Sequence, residues 1–336
     1  MILSFYHKYI EVSNLYKNYT IYKRKRFRRE KKIIHAVRDI SFAAEKGEFL
    51  GYIGPNGAGK STTIKMLTGI LTPSFGEINV AGFCPWIERK KYVKNIGVVF
   101  GQKTQMWWDL PVKDTYKVLR AIYSVSEAKF KKQLSFLIDR LEIMEFYEQP
   151  VRQLSLGQRM RAELAACMIH DPEILFLDEP TIGLDVVSKH RVLNFLKELN
   201  ARGKTIFLTT HDLNDIEALC NEILIINHGQ LIYKGSLSSL KSKTALPRLL
   251  KIRLKESHYS LSETQRNFIR NHNGEFYEKE GEITIRIKNG YNPALLAGEI
   301  IKKFEVEDFK IKDPGIEEVV RDIYQSMEFK EAPHKN

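Results

Sequence analysis

Cysteines, long apolar runs and metal-ligand spacings are scarce in this sequence. Only three of its 336 residues are cysteines, and no Cys-x-x-Cys pair occurs. Their scarcity argues against a disulfide framework and a zinc site, so we expect a protein of the reducing cytosol. No run approaches the roughly 18 apolar residues that a spanning helix needs, and the N-terminal segment is too short for a signal-peptide core. We therefore expect that any work at a membrane requires a separate spanning chain.

Positive charge is concentrated in one short segment. The formal net charge is +12, and KRKRFRREKK at 23–32, here called the basic run, holds eight basic residues and one glutamate, which leaves +7. We expect a solvated loop there. Attraction to the anionic inner leaflet of a membrane is a second interpretation. Nucleic-acid binding is a third, weakened because no aromatic-interleaved surface accompanies the run.

Short apolar runs alternate with helical patterns over the first two thirds of the chain. The runs at 49–53, 96–100, 174–177 and 205–209 have the composition of buried strands, and helical patterns lie among them. Such interleaving predicts an α/β fold with a largely parallel sheet covered by helices on both faces. Strands disappear between 111 and 166, so we predict a helical insert, at about 103–166, within this domain.

The α/β pattern ends near residue 236. The segment ILIINHGQLIYKGS predicts a hairpin with a His-Gly turn. We therefore predict one domain at 1–236 and a second at 237–336. Patterns in the second domain follow the order β-α-β-α-β-α, which predicts a small α+β domain without a catalytic constellation.

A phosphate-binding loop follows the first of the apolar runs. The pattern G-x-x-x-x-G-K-[ST] is matched by Gly54, Pro55, Asn56, Gly57, Ala58, Gly59, Lys60 and Ser61. Backbone N–H groups of such a loop surround the β- and γ-phosphates, and the following helix start adds partial positive charge. We expect Lys60 to reach phosphate oxygens and Ser61 to supply a hydroxyl to Mg²⁺.

Two other predicted strands deliver acidic and imidazole side chains to the same sheet edge. Asp178 and Glu179 follow ILFL, and His211 follows TIFLTT. We expect Asp178 to hold Mg²⁺ through water and Glu179 to polarise the attacking water as a general base. His211 is placed to contact the γ-phosphate and to orient that water. The alternative is that the acidic pair caps a helix and that His211 is a capping or core residue.

The segment RQLSLGQRM at 152–160 has no nucleophile–base pair and no metal-ligand spacing. Ser155 is placed to cap a helix whose apolar stripe begins at Met160 and Leu164. The chain thus has a second small-residue turn at a helix start, about a hundred residues after its phosphate loop.

In combination, these motifs resemble the nucleotide-binding subunits of ABC transporters over about residues 9–236. The matching segments are GPNGAGKST (54–62, ending at Thr62), LSLGQ (154–158), ILFLDEP (174–180), GLD (183–185) and His211. The resemblance implies two subunits that close face to face, with each ATP between the P-loop of one chain and LSLGQ of the other. Ser155, Gly157 and Gln158 would then contact a nucleotide held by the partner.

The resemblance also implies roles at three other positions. Asp185 falls in the loop that touches the partner subunit, and Tyr19 falls where the family has an aromatic residue stacked on adenine. For Tyr19 an edge-strand tyrosine of the core is the alternative. The family glutamine that senses Mg²⁺ and the γ-phosphate is offset here by Gly101 in VVFGQKTQ. Gln102 is the favoured match, and Gln105 is the reserve.

Two further departures concern the helical insert and LSLGQ. The large residues at 106–108, Met-Trp-Trp, belong either to the core of the insert or, as a less favoured alternative, to a groove for a permease helix. Leu156 stands where the family has glycine. Either this turn is ordinary helical backbone, or the site closes less tightly.

By this resemblance we expect a Mg²⁺-dependent ATPase that powers a separately encoded, exporter-type permease. We expect peripheral attachment to the cytoplasmic face of the cell membrane, and a homodimer rather than a heterodimer because the chain has one full motif set. A translation ATPase usually has two cassettes, and a DNA-repair ATPase needs a long heptad insert; neither feature occurs. Intact Glu179 and His211 disfavour a binding module without turnover. No nucleic-acid partner is expected.

Overall fold

The computed structural model describes most of the chain as two compact units. The described residues are 8–25, 28–101, 104–243, 246–255, 263–271, 274–279, 282–287 and 292–331. The units are Met1–Leu237 and Ser238–Asn336.

A six-stranded sheet forms the centre of the first unit. Its strands are β3 (Phe49–Ile53), β5 (Ile96–Phe100), β6 (Ile174–Asp178), β7 (Thr205–Thr209), β8 (Glu222–Asn227) and β9 (Gln230–Ser236). They lie in the order β5-β6-β7-β3-β8-β9. All neighbours are parallel except β8 and β9. The predicted strands and the largely parallel sheet are confirmed.

The parallel strands place the phosphate loop and the acidic strand end at one edge. Every residue of β3 and β7 is buried, as expected for central strands covered on both faces. Because β3, β6 and β7 are adjacent and parallel, their carboxyl ends meet at the same edge. The predicted His-Gly turn also forms between β8 and β9, with positive φ at His228 and Gly229.

A second, antiparallel sheet was not predicted. It contains β1 (Ile10–Lys25), β2 (Arg28–Ala44) and β4 (Phe75–Val80), in the order β2-β1-β4. The prediction of a loop over the basic run is wrong, because β1 and β2 continue into it and pair there. Cross-strand pairing overrides the low strand propensity of lysine and arginine. Aromatic contacts join the two sheets; the ring of Phe42 lies 6.0 Å from that of Phe207.

Helices cover the sheets and form the insert. They are α1 (Lys60–Leu67), α2 (Arg89–Tyr92), α3 (Val112–Ile122), α4 (Glu127–Leu141), α5 (Leu156–Met168), α6 (Val186–Ala201) and α7 (Leu213–Leu219). Helix α8 (Leu237–Lys243) begins at the last residue of the first unit. The predicted helical insert corresponds to α3, α4 and the greater part of α5. Its helices pack through buried apolar residues such as Leu137 and Leu164.

The second unit is a small α+β sheet domain. Its elements are β10 (Arg248–Leu254), α9 (Glu263–Asn271), β11 (Gly274–Lys279), β12 (Glu282–Ile287), α10 (Pro293–Lys303), β13 (Val306–Lys312) and α11 (Ile316–Glu331). The antiparallel order is β11-β12-β10-β13, a split β-α-β arrangement. The predicted element order lacked β11, an edge strand whose sequence GEFYEK has little apolar signal.

None of the helices that the structure describes combines the length and apolar character needed to cross a bilayer.

Candidate active site

The phosphate loop connects β3 to α1 and holds its lysine in a buried position. The Lys60 ammonium donates hydrogen bonds to the carbonyl oxygens of Gly54 at 2.6 Å and Pro55 at 3.2 Å. Burial lowers the pKa of Lys60, and the charges of Glu179 and Asp178 oppose that effect. The ammonium is therefore held over the loop, close to two carboxylates that favour its charged form.

The start of α1 has no side-chain cap. Its N-cap residue is Gly59, with φ of 105°, and no side chain accepts a hydrogen bond from the first turn. Asn56, Gly57 and Ser61 are exposed, whereas Ala58 is buried and its carbonyl accepts a hydrogen bond from the Gly229 N–H at 3.0 Å. Uncapped N–H groups at a helix start form an anion site, so the loop is built for phosphate.

A cleft of about 560 Å³ brings the phosphate loop to the acidic strand end. Its lining includes Lys60, Ser61 and Thr62 on one side and Asp178 and Glu179 on the other. Asp178 is oriented by the Thr209 hydroxyl, which donates to its Oδ1 at 2.5 Å. The cleft thus gathers an ammonium, hydroxyls and two carboxylates at the sheet edge.

Oxygen donors in the cleft fit a Mg²⁺ ion accompanied by a nucleotide. A hydroxyl from Ser61 and a carboxylate from Asp178 are the ligand types that Mg²⁺ prefers. No group of three His, Cys, Asp or Glu side chains able to hold a metal occurs among the described residues. Such an ion would therefore take its remaining ligands from phosphate oxygens and water.

Glu179 has an unusual backbone conformation at the mouth of the cleft. Its φ is 55°, and its N–H donates to the Thr209 carbonyl at 2.9 Å. Left-handed backbone is uncommon for a glutamate and marks positions that the fold constrains. His211 lies beside it, with Nδ1 3.6 Å from Glu179 Oε2 and its side chain more than half exposed. The fold therefore brings the expected base and imidazole together.

LSLGQ forms the start of α5, which has a side-chain cap. The Ser155 hydroxyl accepts a hydrogen bond from the Gln158 N–H at 3.2 Å, and the Ser155 N–H donates to Gln158 Oε1 at 2.9 Å. This reciprocal pair is a capping box, so the predicted cap is confirmed. Leu156 is the first helical residue and has no positive φ. The turn is ordinary helical backbone, as the first alternative for Leu156 required.

Gly157 is required by a neighbouring helix start. A Cβ at this position would lie 2.4 Å from Ser188 Oγ and 2.9 Å from Ser188 Cβ. Asp185 caps that helix, α6, by accepting the Ser188 N–H at 2.9 Å. Hydrogen bonds from Ser188 hold the pKa of Asp185 below its ordinary value. LSLGQ and GLD therefore form one surface in which two helix starts touch.

Several predicted contacts do not lie in the cleft. Its lining residues do not include Ser155, Gly157, Gln158 or Asp185. Tyr19 is also absent from the lining. It lies in β1 opposite Ile34, with the Lys17 ammonium 5.5 Å from its ring centre. Within the described parts of one chain, the P-loop cleft and the LSLGQ surface are separate.

The segment that connects the sheet to the insert begins at the cleft. A Cβ on Gly101 would lie 2.4 Å from the Glu179 carbonyl oxygen, so only glycine passes the acidic strand end this closely. Gln102 lies outside the described residues. Gln105, the reserve choice, instead donates its N–H to the Glu163 carboxylate at 3.2 Å. Its contacts are to α5.

The large residues at 106–108 are divided between core and surface. Met106 is 4% exposed, whereas Trp107 and Trp108 are 41% and 48% exposed. The Arg159 guanidinium lies 5.8 Å from the Trp108 ring. The prediction of core membership therefore holds for Met106 but is wrong for the two tryptophans.

Two buried polar groups near the site were not predicted from the sequence. Glu163 is 4% exposed and accepts hydrogen bonds from the Thr104 hydroxyl and the Gln105 N–H; burial raises its pKa despite those bonds. Asp215 is also buried and accepts the Thr181 hydroxyl at 2.6 Å.

Lys189 extends the second group toward His211. Its ammonium lies 2.8 Å from Asp215 Oδ1 and also contacts Asp212, the neighbour of His211 in the chain. Burial alone would lower the pKa of Lys189, but bonds to the two aspartates raise it. No local sequence motif indicates the contacts of Glu163, Asp215 and Lys189. The one available signal is a single polar residue on an apolar helix face, as at Glu163.

Comparisons with known proteins agree with this geometry. Residues 37–182 match the family model described as "ABC transporter". The chain is 35% identical to the ABC transporter ATP-binding protein NatA of Bacillus subtilis over 216 residues, which cover 64% of this chain and 88% of NatA. It is 34% identical to the linearmycin resistance ATP-binding protein LnrL of B. subtilis (62% and 66% covered). It is 36% identical to the Nod factor export ATP-binding protein I of Rhizobium sp., over 60% of this chain and 66% of that protein.

Solved structures share the fold of the first unit. One is an ATP-binding subunit of an ABC transporter, with a TM-score of 0.61 and 25% identity, covering 70% of this chain and 92% of that chain. Another is a dimeric ATP-binding cassette in a post-hydrolysis state bound to ADP and Pi, with a TM-score of 0.59 and 26% identity, covering 68% and 98%. The chain therefore belongs to the family of ABC transporter ATP-binding proteins.

Proposed function

We propose that this chain binds ATP with Mg²⁺ in the P-loop cleft and hydrolyses it as one half of a homodimer that drives a separate export permease. One observation carries the proposal: Lys60, Ser61, Asp178 and Glu179 line a single cleft. We also propose attachment at the cytoplasmic face of the membrane. Two relatives support export: the linearmycin resistance ATP-binding protein LnrL and the Nod factor export ATP-binding protein I.

Binding would use groups that are already positioned. The uncapped first turn of α1 supplies N–H donors to phosphate oxygens, and Lys60 can exchange the Gly54 and Pro55 carbonyls for them. Charge-assisted bonds of this kind are worth about 1.5–3 kcal/mol each. Ser61 and Asp178 would hold Mg²⁺, which neutralises developing charge on the phosphates.

Glu179 is proposed as the general base. Its backbone is fixed by the Thr209 carbonyl, and its carboxylate faces the cleft beside His211. A positioned carboxylate there takes a proton from the attacking water, and His211 helps to orient that water. We assign the Mg²⁺- and γ-phosphate-sensing role to Gln102 and adenine stacking to Tyr19.

A second copy would complete the site. Ser155 accepts one hydrogen bond as an N-cap, and its hydroxyl proton remains to be donated to a γ-phosphate oxygen. Gly157, Gln158 and Asp185 belong to the same surface. We propose that they act on ATP held by the partner; their absence from the cleft of their own chain and the dimeric form of a similar cassette bound to ADP and Pi support this. We further propose 1–236 as the ATPase domain and 237–336 as an accessory domain.

The Glu179→Gln variant tests the proposal. It should bind Mg²⁺-ATP normally, accumulate as a dimer in size-exclusion chromatography, and turn over about 100- to 10,000-fold more slowly than the parent chain. Glu77→Gln, an exposed change in β4, is the matched control and should behave as the parent. Near-normal turnover in Glu179→Gln would contradict the base assignment. Undiminished turnover of the parent in excess EDTA would contradict the Mg²⁺ requirement.

A further inference from the structure

The basic run lies in a two-stranded ribbon that extends beyond the antiparallel sheet. Strand β4 pairs with β1 only as far as Tyr16, opposite Phe75. Beyond that point β2 is the only strand among the described residues that pairs with β1, up to the pair Lys25 and Arg28. Residues 17–25 of β1, at about 3.3 Å per residue, give the ribbon a length of about 30 Å. We call residues 17–25 and 28–34 the ribbon.

Large apolar side chains on the ribbon are exposed. Ile21, Tyr22, Ile33 and Ile34 have exposed fractions of 42%, 64%, 48% and 39%. All residues at 20–22 and 31–35 are exposed. The register puts Ile21 and Ile34 on one face of the ribbon and Tyr22 and Ile33 on the other, so both faces offer apolar contacts.

The register of the ribbon also sets basic residues opposite one another. The register sets Lys25 opposite Arg28 and Arg24 opposite Arg29, while Glu30 lies opposite Lys23. Directly opposed like charges destabilise a strand pair, and an isolated two-stranded hairpin is marginally stable in water. The ribbon therefore has two features that are unfavourable in water: opposed positive charges and exposed apolar side chains.

We propose that the ribbon docks on an anionic phospholipid bilayer surface. Lipid phosphates would relieve repulsion among the basic residues, and the adjoining boundary with the acyl chains would take the isoleucines and the tyrosine. The register supports this pairing, because Ile21 lies opposite Lys32 and Tyr22 opposite Lys31, so each pair combines apolar and basic chemistry. This inference does not depend on the proposed hydrolysis mechanism.

Isoleucine content favours lipid over nucleic acid. Single-stranded nucleic acid is bound by aromatic side chains that stack on bases, whereas three of the four exposed apolar residues on the ribbon are isoleucines. An acidic protein surface would pair with the basic side chains, but its acidic groups would leave the exposed apolar side chains of the two strands without apolar contacts. A bilayer interface supplies both kinds of contact over an extended area.

Vesicle co-sedimentation of the full chain tests the proposal. We expect binding to phosphatidylcholine vesicles that contain phosphatidylglycerol, little binding to phosphatidylcholine alone, and release by high salt. The Lys31→Glu/Lys32→Glu variant should bind the anionic vesicles about tenfold or more weakly. The matched control, Lys129→Glu/Lys132→Glu, reverses two exposed lysines of α4 and should bind as the parent does.

A second variant, Tyr22→Ser/Ile33→Ser, tests the apolar contribution. It should weaken binding severalfold and leave the salt dependence unchanged, because the charges remain. Normal ATP binding by both ribbon variants would show that the fold around the P-loop is intact in each.

Three results would overturn the proposal. Equal binding to neutral and anionic vesicles would show that the negative charge of the lipid does not contribute to binding. An equal loss in the α4 control would show that only net charge matters. Vesicle binding that persists in Lys31→Glu/Lys32→Glu, while capture of solubilised permease or of single-stranded nucleic acid is lost, would identify a different partner class. None of these results depends on whether the chain hydrolyses ATP.

Discussion

Two helix starts carry the proposed phosphate contacts, and they are built in opposite ways. Helix α1 begins at Lys60 after a glycine and has no side-chain cap. Helix α5 begins at Leu156 behind a complete capping box between Ser155 and Gln158. The first leaves its N–H groups available to an anion, and the second has already satisfied part of its own.

This contrast assigns different tasks to the two surfaces. An uncapped helix start with a buried lysine can hold phosphate within one chain. A capped start remains stable without ligand and offers mainly a hydroxyl, so it suits a contact that forms and breaks during each cycle. We therefore expect strong binding at the P-loop and reversible closure at LSLGQ.

The largest expected effect is at Gly157, where LSLGQ meets α6. Gly157→Ala should lower the free energy of unfolding by about 1–3 kcal/mol, because its Cβ would lie 2.4 Å from Ser188 Oγ. Because alanine has a higher helix propensity than glycine, a loss of stability in this variant would be due to the clash with Ser188. Urea unfolding measures the change. In a double-mutant cycle, adding Ser188→Gly should recover part of the loss; strict additivity would contradict the packing account.

Glu163 tests whether α5 is tied to the segment that leaves the P-loop cleft. Glu163→Gln keeps an oxygen at Oε1, where the Thr104 hydroxyl and the Gln105 N–H both donate, but puts an amide N–H₂ at Oε2, 3.3 Å from the Gln105 nitrogen, so that two donors face each other there. We expect about 1–2 kcal/mol of lost stability and a lower kcat with little change in KM for ATP. Glu77→Gln, an exposed change in β4, is again the control. If Glu163→Gln and the control both match the parent in stability and kcat, the contact between α5 and the segment at 104–105 contributes to neither.

His170 anchors the other end of α5 and gives a pH test. Burial lowers its pKa to about 4, and its Nε2 lies 3.0 Å from the Ile96 carbonyl oxygen. Because the unfolded chain takes up a proton near pH 6.5 and the folded chain does not, stability should fall as pH drops from about 6.5 toward 4, by on the order of 1–2 kcal/mol. His170→Gln should remove this component. An unchanged difference between pH 7 and pH 5 in that variant would refute it.

The smallest effect is expected at Leu156. Its backbone is helical, and its side chain packs near Gly183, so it does not occupy a position that needs glycine. Leu156→Gly should change the ATPase rate by no more than about twofold, since exchanging one exposed first-turn residue alters helix stability by about 1 kcal/mol at most. A tenfold gain in turnover would show instead that leucine restrains closure.

Features with local signals were predictable, and those made by distant pairing were not. The buried strands, the phosphate loop and the Ser155 cap each have a pattern within ten residues, and the structure has them in place. Strand β11 and the ribbon depend on pairing that outweighs a weak local preference. The Glu163 contact joins residues 58 positions apart, which no local pattern can indicate.

Mixing two inactive variants tests the central claim, that each ATP site needs two chains. Lys60→Ala removes the P-loop ammonium and leaves LSLGQ intact. Ser155→Asp keeps an N-cap but places a negative charge against the γ-phosphate, and leaves the P-loop intact. We expect each variant alone to be inactive, and the equimolar mixture to regain turnover up to about a quarter of the parent rate, since mixed dimers contain one intact composite site. A mixture no more active than the separate variants would contradict the account.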